Sequence, residues 1–316
     1  MTSTSTRDGQ APTSQLWRGL LLLCLAGVVW GTIGPGVQLV HEGSALSVPM
    51  IGAYRAIVAV VALAVAVLAT SRLRACLALA RDHWRRVVAV GALTAVFQLL
   101  FFVAVVAAGV SVATVVALGF APVLLLVVAS GRRRRLPSAG QLVTVTAAVA
   151  GLLLVGAGGS VDAPHPVLGA LAALGSGTAY ALSADLGGSL SHRHDALTVT
   201  ALTMSVATAV LVPSGLVAAF VRGEATTTTD VTTWLLVAYL GVVTMAFAYV
   251  LLFAGLRSAP SGSAVVATLL EPVTAVLIAV VFLDQGLTAA GVVGSLLILA
   301  AIASLGRQPE SELQPQ

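Results

Sequence analysis

Ten apolar runs, each close to the length of a membrane-crossing helix, follow one another along the 316 residues and leave little chain for anything else. They lie at about Leu16–Val40, Val48–Thr70, Val87–Ala108, Ser111–Ser130, Gln141–Gly156, Val167–Leu186, Ala196–Phe220, Val231–Leu256, Ser261–Leu283 and Ala290–Leu305. A helix needs ~20 residues to cross ~30 Å of hydrocarbon. Inside that layer each backbone amide must find its partner within its own segment or a closed barrel. Barrel strands are ~10 residues long with alternating polarity, which these runs are not. Composition agrees, since 58% of residues are hydrophobic and 9% charged, against roughly a quarter charged in a soluble domain. The expected fold class is an all-α integral membrane protein with ten transmembrane helices, its surface covered by the lipid bilayer. The Ser/Thr-rich segment 1–15 and the segment 307–316 read as cytoplasmic tails, the first of them disordered.

The first run is too long for a signal-peptide core, so it reads as a retained helix. The net charge of +4 arises with arginine alone, because the chain has no lysine. Arginines in short loops between apolar runs do not suit nucleic acid, and no nucleic-acid partner is expected. With the N-terminus inside, the cytoplasmic segments hold Arg7, Arg72, Arg74, Arg81, Arg85, Arg86, Arg132 to Arg135, Arg193, Arg257 and Arg307, and only Arg222 falls outside. The positive-inside bias therefore puts both termini in the cytoplasm, with the cell membrane as the expected location. Trp17, Trp84 and Trp234 fall at span edges, where indole rings prefer to sit. Cys24 lies in an apolar run and Cys76 in a basic segment, a placement that does not suit a disulfide.

An internal repeat organises the ten runs. At a shift of 150 residues Gly19 meets Gly169, Gly27 meets Gly177, Trp84 meets Trp234, Gly91 meets Gly241 and Thr94 meets Thr244. Phe97 meets Phe247, Ser111 meets Ser261 and Pro122 meets Pro272, while Trp30 meets Tyr180. Low complexity can imitate the alanine and valine matches but not the tryptophans and prolines together. The two units, 16–157 and 166–306, hold five spans each. Five is odd, so the halves enter the membrane with opposite orientation. Such inverted repeats are a hallmark of secondary transporters, which bind their substrate near the midplane between the halves.

These residues resemble the EamA type of the drug/metabolite transporter superfamily over nearly the whole chain. The resemblance rests on Gly27-x-x-Trp30-Gly31, on Tyr54-Arg55-Ala56, on Leu270-Glu271-Pro272-Val273, and on Phe282-Leu283-Asp284-Gln285 before Gly291. That family usually has glutamate where Asp284 stands, and the first half carries Arg132 to Arg135 in its place. The resemblance implies export of amino acids, related metabolites or toxic compounds. It names no substrate.

An ionisable side chain at membrane depth costs ~3 kcal/mol or more and is a functional candidate by default. Arg55 stands roughly 10 Å into the second span and Glu271 roughly 16 Å into the ninth, counted at 1.5 Å per residue from opposite faces. The two are expected at comparable heights. Ser205 and Ala121 occupy the equivalent places in the other repeat. Gly52, Arg55, Ala59, Ala62, Ala66 and Ala69 share one stripe of their helix; Ala264, Ala267, Thr268, Glu271, Thr274 and Ala275 share one of theirs. Small residues there admit close helix approach or leave room for a cavity. Arg55 and Glu271 therefore serve a substrate or a coupled proton, or pair with each other as a clamp; Arg55 alternatively reaches outward to the interface.

Pro122 and Pro272 remove a backbone donor at symmetric positions and suggest paired hinges, as does the Gly34-Pro35 step within Gly31–Gly36. Prolines are also simply tolerated in membrane helices. Trp30, Gln98 and Tyr180 lie near mid-depth, where they line a cavity or pack and bond between helices. The segment His192-Arg193-His194-Asp195 reads as a basic loop end rather than a metal site. No HExxH, G-x-S-x-G, P-loop or dinucleotide fingerprint is present, so no catalytic residue, metal or cofactor is expected. The expected partners are a small-molecule substrate and lipid, with protons, uncoupled transport and a homodimer left open. The expectation is a secondary transporter working by alternating access. An enzyme or sensor on the same scaffold and a passive channel are the rival readings.

Overall fold

The structure, a computed structural model, describes residues 11–157, 164–282 and 288–305. The segments 1–10 and 306–316 of the tails, and Leu283, Asp284 and Gln285 of the last motif, lie outside the described residues. Among the described residues thirteen α-helices and one π-helical segment account for the ten spans. Span one is α1 (Ala11–Gly31) with α2 (Ile33–Gly43), followed by α3 (Val48–Ala69), α4 (Leu73–Ala108), α5 (Val110–Arg133) and α6 (Ala139–Gly156). The second half begins with α7 (Pro166–Ser191) and α8 (Ala196–Arg222). Its third span joins α9 (Val231–Tyr239), a π-helical segment Leu240–Phe247 and α10 (Ala248–Gly255). Then come α11 (Ser261–Ala267) with α12 (Leu270–Phe282), and finally α13 (Ala289–Leu305). Among the described residues nine stretches are long and apolar enough to cross a membrane, and the shorter α13 is the tenth span.

Local chemistry explains where helices stop. Gly109 alone joins α4 to α5 at φ +84°, ψ 159°, a backbone conformation that costs an L side chain ~1–3 kcal/mol. Ser138 and Gln141 form a reciprocal capping box at the start of α6. Asp195 and Asp230 accept from the backbone N–H of Thr198 and Thr233 and so cap α8 and α9.

Helix contacts exchange the two halves. α4 packs on α7 as α10 packs on α1, α5 packs on α7 as α11 and α12 pack on α1, and α4 packs on α8 as the π segment packs on α3. The pairs α3 with α8 and α6 with α13 map onto themselves. Glycines mark the same symmetry. A Cβ on Gly19 would stand 3.1 Å from the Cβ of Ser258, and its mate Gly169 presses on Ala108, the residue 150 positions before Ser258. Gly151 and Gly294 face one another, a Cβ on either lying within 2.6 Å of the other's carbonyl oxygen. The protein is therefore two inverted five-helix repeats. With no hydrophobic drive between helices in lipid, such close backbone approach is what holds them together.

The arginine-bearing loops gather at one end. There Arg72 pairs with Asp195 at 3.0 Å, Arg132 with Asp185 at 2.8 Å, and the His192 ring meets the Arg257 carbonyl at 3.1 Å. At the opposite end Leu46 bridges to Ala225, the Tyr54 hydroxyl donates to the Thr226 carbonyl, and the His165 amide donates to the Ala107 carbonyl. Two boundaries differ from the sequence reading. Helix α1 already starts at Ala11, ahead of the first apolar run. The basic segment before Val87 is helical rather than a loop: α4 starts at Leu73 and kinks at His83 (φ −133°, ψ 25°). Cys76 and Leu79, three residues apart, are buried there while Arg74, Arg81, Arg85 and Arg86 remain exposed, which is the pattern of a helix lying along the bundle.

Candidate functional site

Two broken helices meet at the centre. In the ninth span the helix ladder stops at Thr268 and Leu269 and resumes at Leu270. Pro272 accounts for the position of the break, since it has no N–H to give the Thr268 carbonyl and its ring crowds that oxygen. The Glu271 amide bonds the Thr268 carbonyl instead, at 3.0 Å. Glu271 is thereby the second residue of α12, where the helix N-terminus favours negative charge. In the first span α1 ends at Gly31, the residue whose carbonyl Pro35 would need to serve, and α2 starts at Ile33. The Thr32 hydroxyl seals the turn by donating to the Val29 carbonyl at 2.7 Å and lies 2.8 Å from the Tyr239 hydroxyl. By contrast α5 and α8 run unbroken through Pro122 and Pro213. The two symmetric prolines thus behave differently, Pro272 following a break and Pro122 lying in a continuous helix.

The breaks are pressed together. A Cβ on Gly27 would stand 2.9 Å from the Thr268 carbonyl oxygen, and one on Gly31 2.7 Å from that of Glu271. Across from them, Arg55 on α3 donates from Nη2 to Gln98 Oε1 of α4 at 3.0 Å. Arg55 Nε and Gln98 Nε2 are both buried without a hydrogen-bond partner. The π segment fits against this turn of α3, because Gly241 lets its backbone approach the Arg55 carbonyl. π-Helical turns of this kind are frequent at functional sites.

Aromatic rings form the wall between these polar groups. Trp30 donates from Nε1 to the Thr244 carbonyl of the π segment at 3.0 Å. Its ring stands edge-on to Tyr249 at 5.3 Å and to Tyr180 at 6.5 Å between centroids. Phe97 lies 5.1 Å from Tyr180, whose hydroxyl meets Thr268 Oγ1 at 2.8 Å. Arg55, Tyr249 and Glu271 are within electrostatic reach of one another. Yet among the described residues Arg55 and Glu271 form no ion pair within 4.0 Å, and the Glu271 carboxylate has no hydrogen-bond partner. Arg55, Gln98 and Glu271 are half-buried, whereas Trp30, Tyr180, Tyr249 and Thr268 are buried. The stripes read from the sequence hold the edge of the buried faces: on α3 Ala53, Ala56 and Ala59 are covered, with Gly52 and Arg55 beside them and nothing within 4 Å of a Cβ on Gly52.

The structure therefore brings Arg55, Gln98, Trp30, Tyr180, Thr268 and Glu271 to one place, with Gly34 and Pro35 just past the α1–α2 turn. Pro122, on α5, makes none of these contacts. Sequence reasoning missed Tyr249 and the π turn at Thr244. Tyr249 is one of four tyrosines in the chain and faces Leu99 at the 150-residue shift, the same kind of asymmetry that singled out Arg55. The shallow apolar depression beside Pro164, His165 and Leu171 includes none of these groups.

A profile of the EamA-like transporter family matches residues 17–157 and again residues 167–307. The chain belongs to the EamA-like transporter family. As a family member it is a multi-pass membrane transporter, its two matches coinciding with the two structural repeats. Among curated proteins it is similar to the "Uncharacterized transporter YwfM" of Bacillus subtilis (strain 168), 26% identical over 292 residues that span 92% of this chain and 95% of that one. Among solved structures, one described as "Crystal structure of protein" shares the fold with a TM-score of 0.72 at 20% identity, covering 90% of this chain and 95% of that chain.

Proposed function

We propose that the protein is a secondary transporter that carries a small zwitterionic or amphipathic metabolite between its two halves by alternating access. The observation that carries this reading is the Glu271 carboxylate, standing without a partner at a helix break beside Arg55. An uncompensated carboxylate at this depth costs ~3 kcal/mol or more, so it is stable when it holds a proton or faces a cation. Arg55 Nε and Gln98 Nε2 are free donors for a substrate carboxylate. Glu271 and the aromatic wall suit an ammonium group. Exchange of a proton for that group at Glu271 is the coupling step, and the direction is export. The arginine-rich end faces the cytoplasm of the cell membrane, with both termini on that side.

The test begins with a thermal-shift screen of the purified protein against amino acids and related amines, since a ligand of the folded state raises Tm. Saturable counter-flow of the ligand found is then measured in vesicles for Glu271→Gln and Arg55→Ala. Glu271→Gln weakens binding of an amine, makes it independent of pH and loses pH-driven accumulation, and Arg55→Ala weakens binding of a carboxylate. Normal pH-driven transport by Glu271→Gln defeats the coupling role. Non-saturable flux without counter-flow means a passive pore.

A further inference from the structure

The two ends of the bundle are closed by different chemistry, and the repeat relates one closure to the other. At the arginine-rich end Asp185 on α7 accepts from Arg132 at the end of α5 (2.8 Å) and from the Ser261 hydroxyl at the start of α11 (3.1 Å). This single side chain ties the fourth span of the first repeat to the first and fourth spans of the second. Asp185 lies near the end of an apolar run and was not singled out from the sequence, yet its side chain is only 19% exposed.

Shifted by 150 residues, the triad becomes Phe282, Pro35 and Ser111 at the opposite end. Those residues stand differently. Ala184, next to Asp185, is buried, while its mate Gly34 is exposed and would have nothing within 4 Å of a Cβ. Phe282, the mate of Arg132, is 76% exposed, and Val281 and Leu277 beside it are exposed as well. Near the centre both ends are alike, since Gly177 presses on the Ala117 carbonyl as Gly27 presses on that of Thr268. The repeats diverge beyond that level, past the turn at Thr32.

We infer that Arg132, Asp185 and Ser261 are the gate at the arginine-rich end, and that Pro35 and Phe282 form the corresponding gate at the other end in the opposite-facing state. Inverted repeats give the second state by exchanging the conformations of the halves, so a contact closed in one repeat forms at its mates when that contact opens. One gate is then an ion pair and the other an apolar contact. α2, freed by the break at Thr32, swings against α12 and brings Pro35 to Phe282, while α5 parts from α7 and releases Asp185. The inference rests on the alternating-access reading given above, and the experiment separates the two.

Two cysteine pairs are introduced into Cys24→Ser, Cys76→Ser protein in vesicles: Asp185→Cys with Arg132→Cys, and Pro35→Cys with Phe282→Cys. A short bifunctional thiol reagent is expected to link either pair alone, and linking one to prevent linking of the other in the four-cysteine protein. The deciding variant is Asp185→Asn in the Pro35, Phe282 pair. Loss of a half-exposed ion pair is expected to raise the rate of that cross-link about fivefold. The charge reversal Arg132→Asp with Asp185→Arg restores the original rate. A merely structural tie would change melting and leave the distant cross-link alone. If the two links exclude one another but Asp185→Asn leaves the rate unchanged, the gate assignment is overturned and alternating access stands. If both links form in the same molecule, alternating access fails and the gate with it.

Discussion

Substituting Gly31 by alanine tests whether the helix break that carries Glu271 is held in place by α1. The added Cβ would lie 2.5 Å from Thr274 Cβ, 2.9 Å from Thr274 Cγ2 and 2.7 Å from the Glu271 carbonyl oxygen. Carbon atoms are at ease near 3.5–4.0 Å, so α1 and α12 must separate by roughly 1 Å at this level. Neither main obstacle can turn aside, one being backbone and the other a Cβ fixed to its helix. Overpacking of this kind costs about 1–3 kcal/mol, a fall of several degrees in Tm. Gly34→Ala is the matched control, because a Cβ there meets nothing within 4 Å; its Tm should hold or rise slightly as the unfolded chain loses freedom. The assay is thermal unfolding in detergent followed by transport in vesicles. Gly31→Ala should also lower transport, since it displaces the turn that carries Glu271. Thr274→Ala added to Gly31→Ala removes only the Cγ2 clash and should recover a minor part of the loss. If Gly31→Ala melts with Gly34→Ala, the contact between α1 and the break is not a stabilising one.

Asp195→Asn keeps an N-cap acceptor but removes the charge from the start of α8 and from the Arg72 pair, and should lower stability by about 0.5–1 kcal/mol near neutral pH. Burial pushes the Asp195 carboxyl up, but the Thr198 hydroxyl and amide and Arg72 outweigh it and hold its pKa below the ordinary value. Its contribution is therefore full above the ordinary carboxylate range and lost as pH falls through it to the depressed value, so Tm of the native protein and of Asp195→Asn should converge in acid. Gly109→Ala should cost about 1–3 kcal/mol, seen as a lower Tm, because the one-residue link holds φ +84° with ψ 159°; an unchanged Tm would mean that the link relaxes freely.

The spans were legible because lipid imposes both a length and an apolar surface, and the repeat because Trp84/Trp234 and Pro122/Pro272 stand at one shift. Arg55, Glu271 and Gln98 were legible because polar groups are conspicuous in apolar runs. What stayed hidden depends on partners far away in the chain. Gly34-Pro35 announced a break, and the structure has one at Thr32. Pro122 and Pro272 look alike in sequence, yet of the two spans that carry them the ninth is broken and the fourth is not, the break lying beside the glycines of α1 that accommodate a displaced backbone. The Thr244 carbonyl of the π segment takes its bond from Trp30, more than two hundred residues earlier. The helix over Leu73–Asp82 was obscured by its arginines, because charge count outweighs the buried Cys76 and Leu79 in any reading for spans. Asp185 was obscured by its place at a run end, where a carboxylate looks solvated until Arg132 and Ser261 are found on it.

The asymmetry of the centre follows from the symmetry of the frame. Close glycine contacts recur in both halves because each half must pack in the same way and, in an alternating mechanism, adopt the other's conformation. A charged site obeys a different constraint. Placing an arginine and a glutamate in both repeats would put four charges near the pseudo-two-fold axis, each with its own desolvation cost. A single arginine from the first repeat, with a single glutamate from the second, keeps the site near neutral and gives it direction. Ser205 and Ala121 take the vacant places with little volume, and Ala248 opposite Gln98 and Leu99 opposite Tyr249 continue the pattern. On the proposed reading a substrate with unlike ends has one way to sit, and both halves contribute before it is held. One repeat alone holds Arg55 without Glu271, or Glu271 without Arg55.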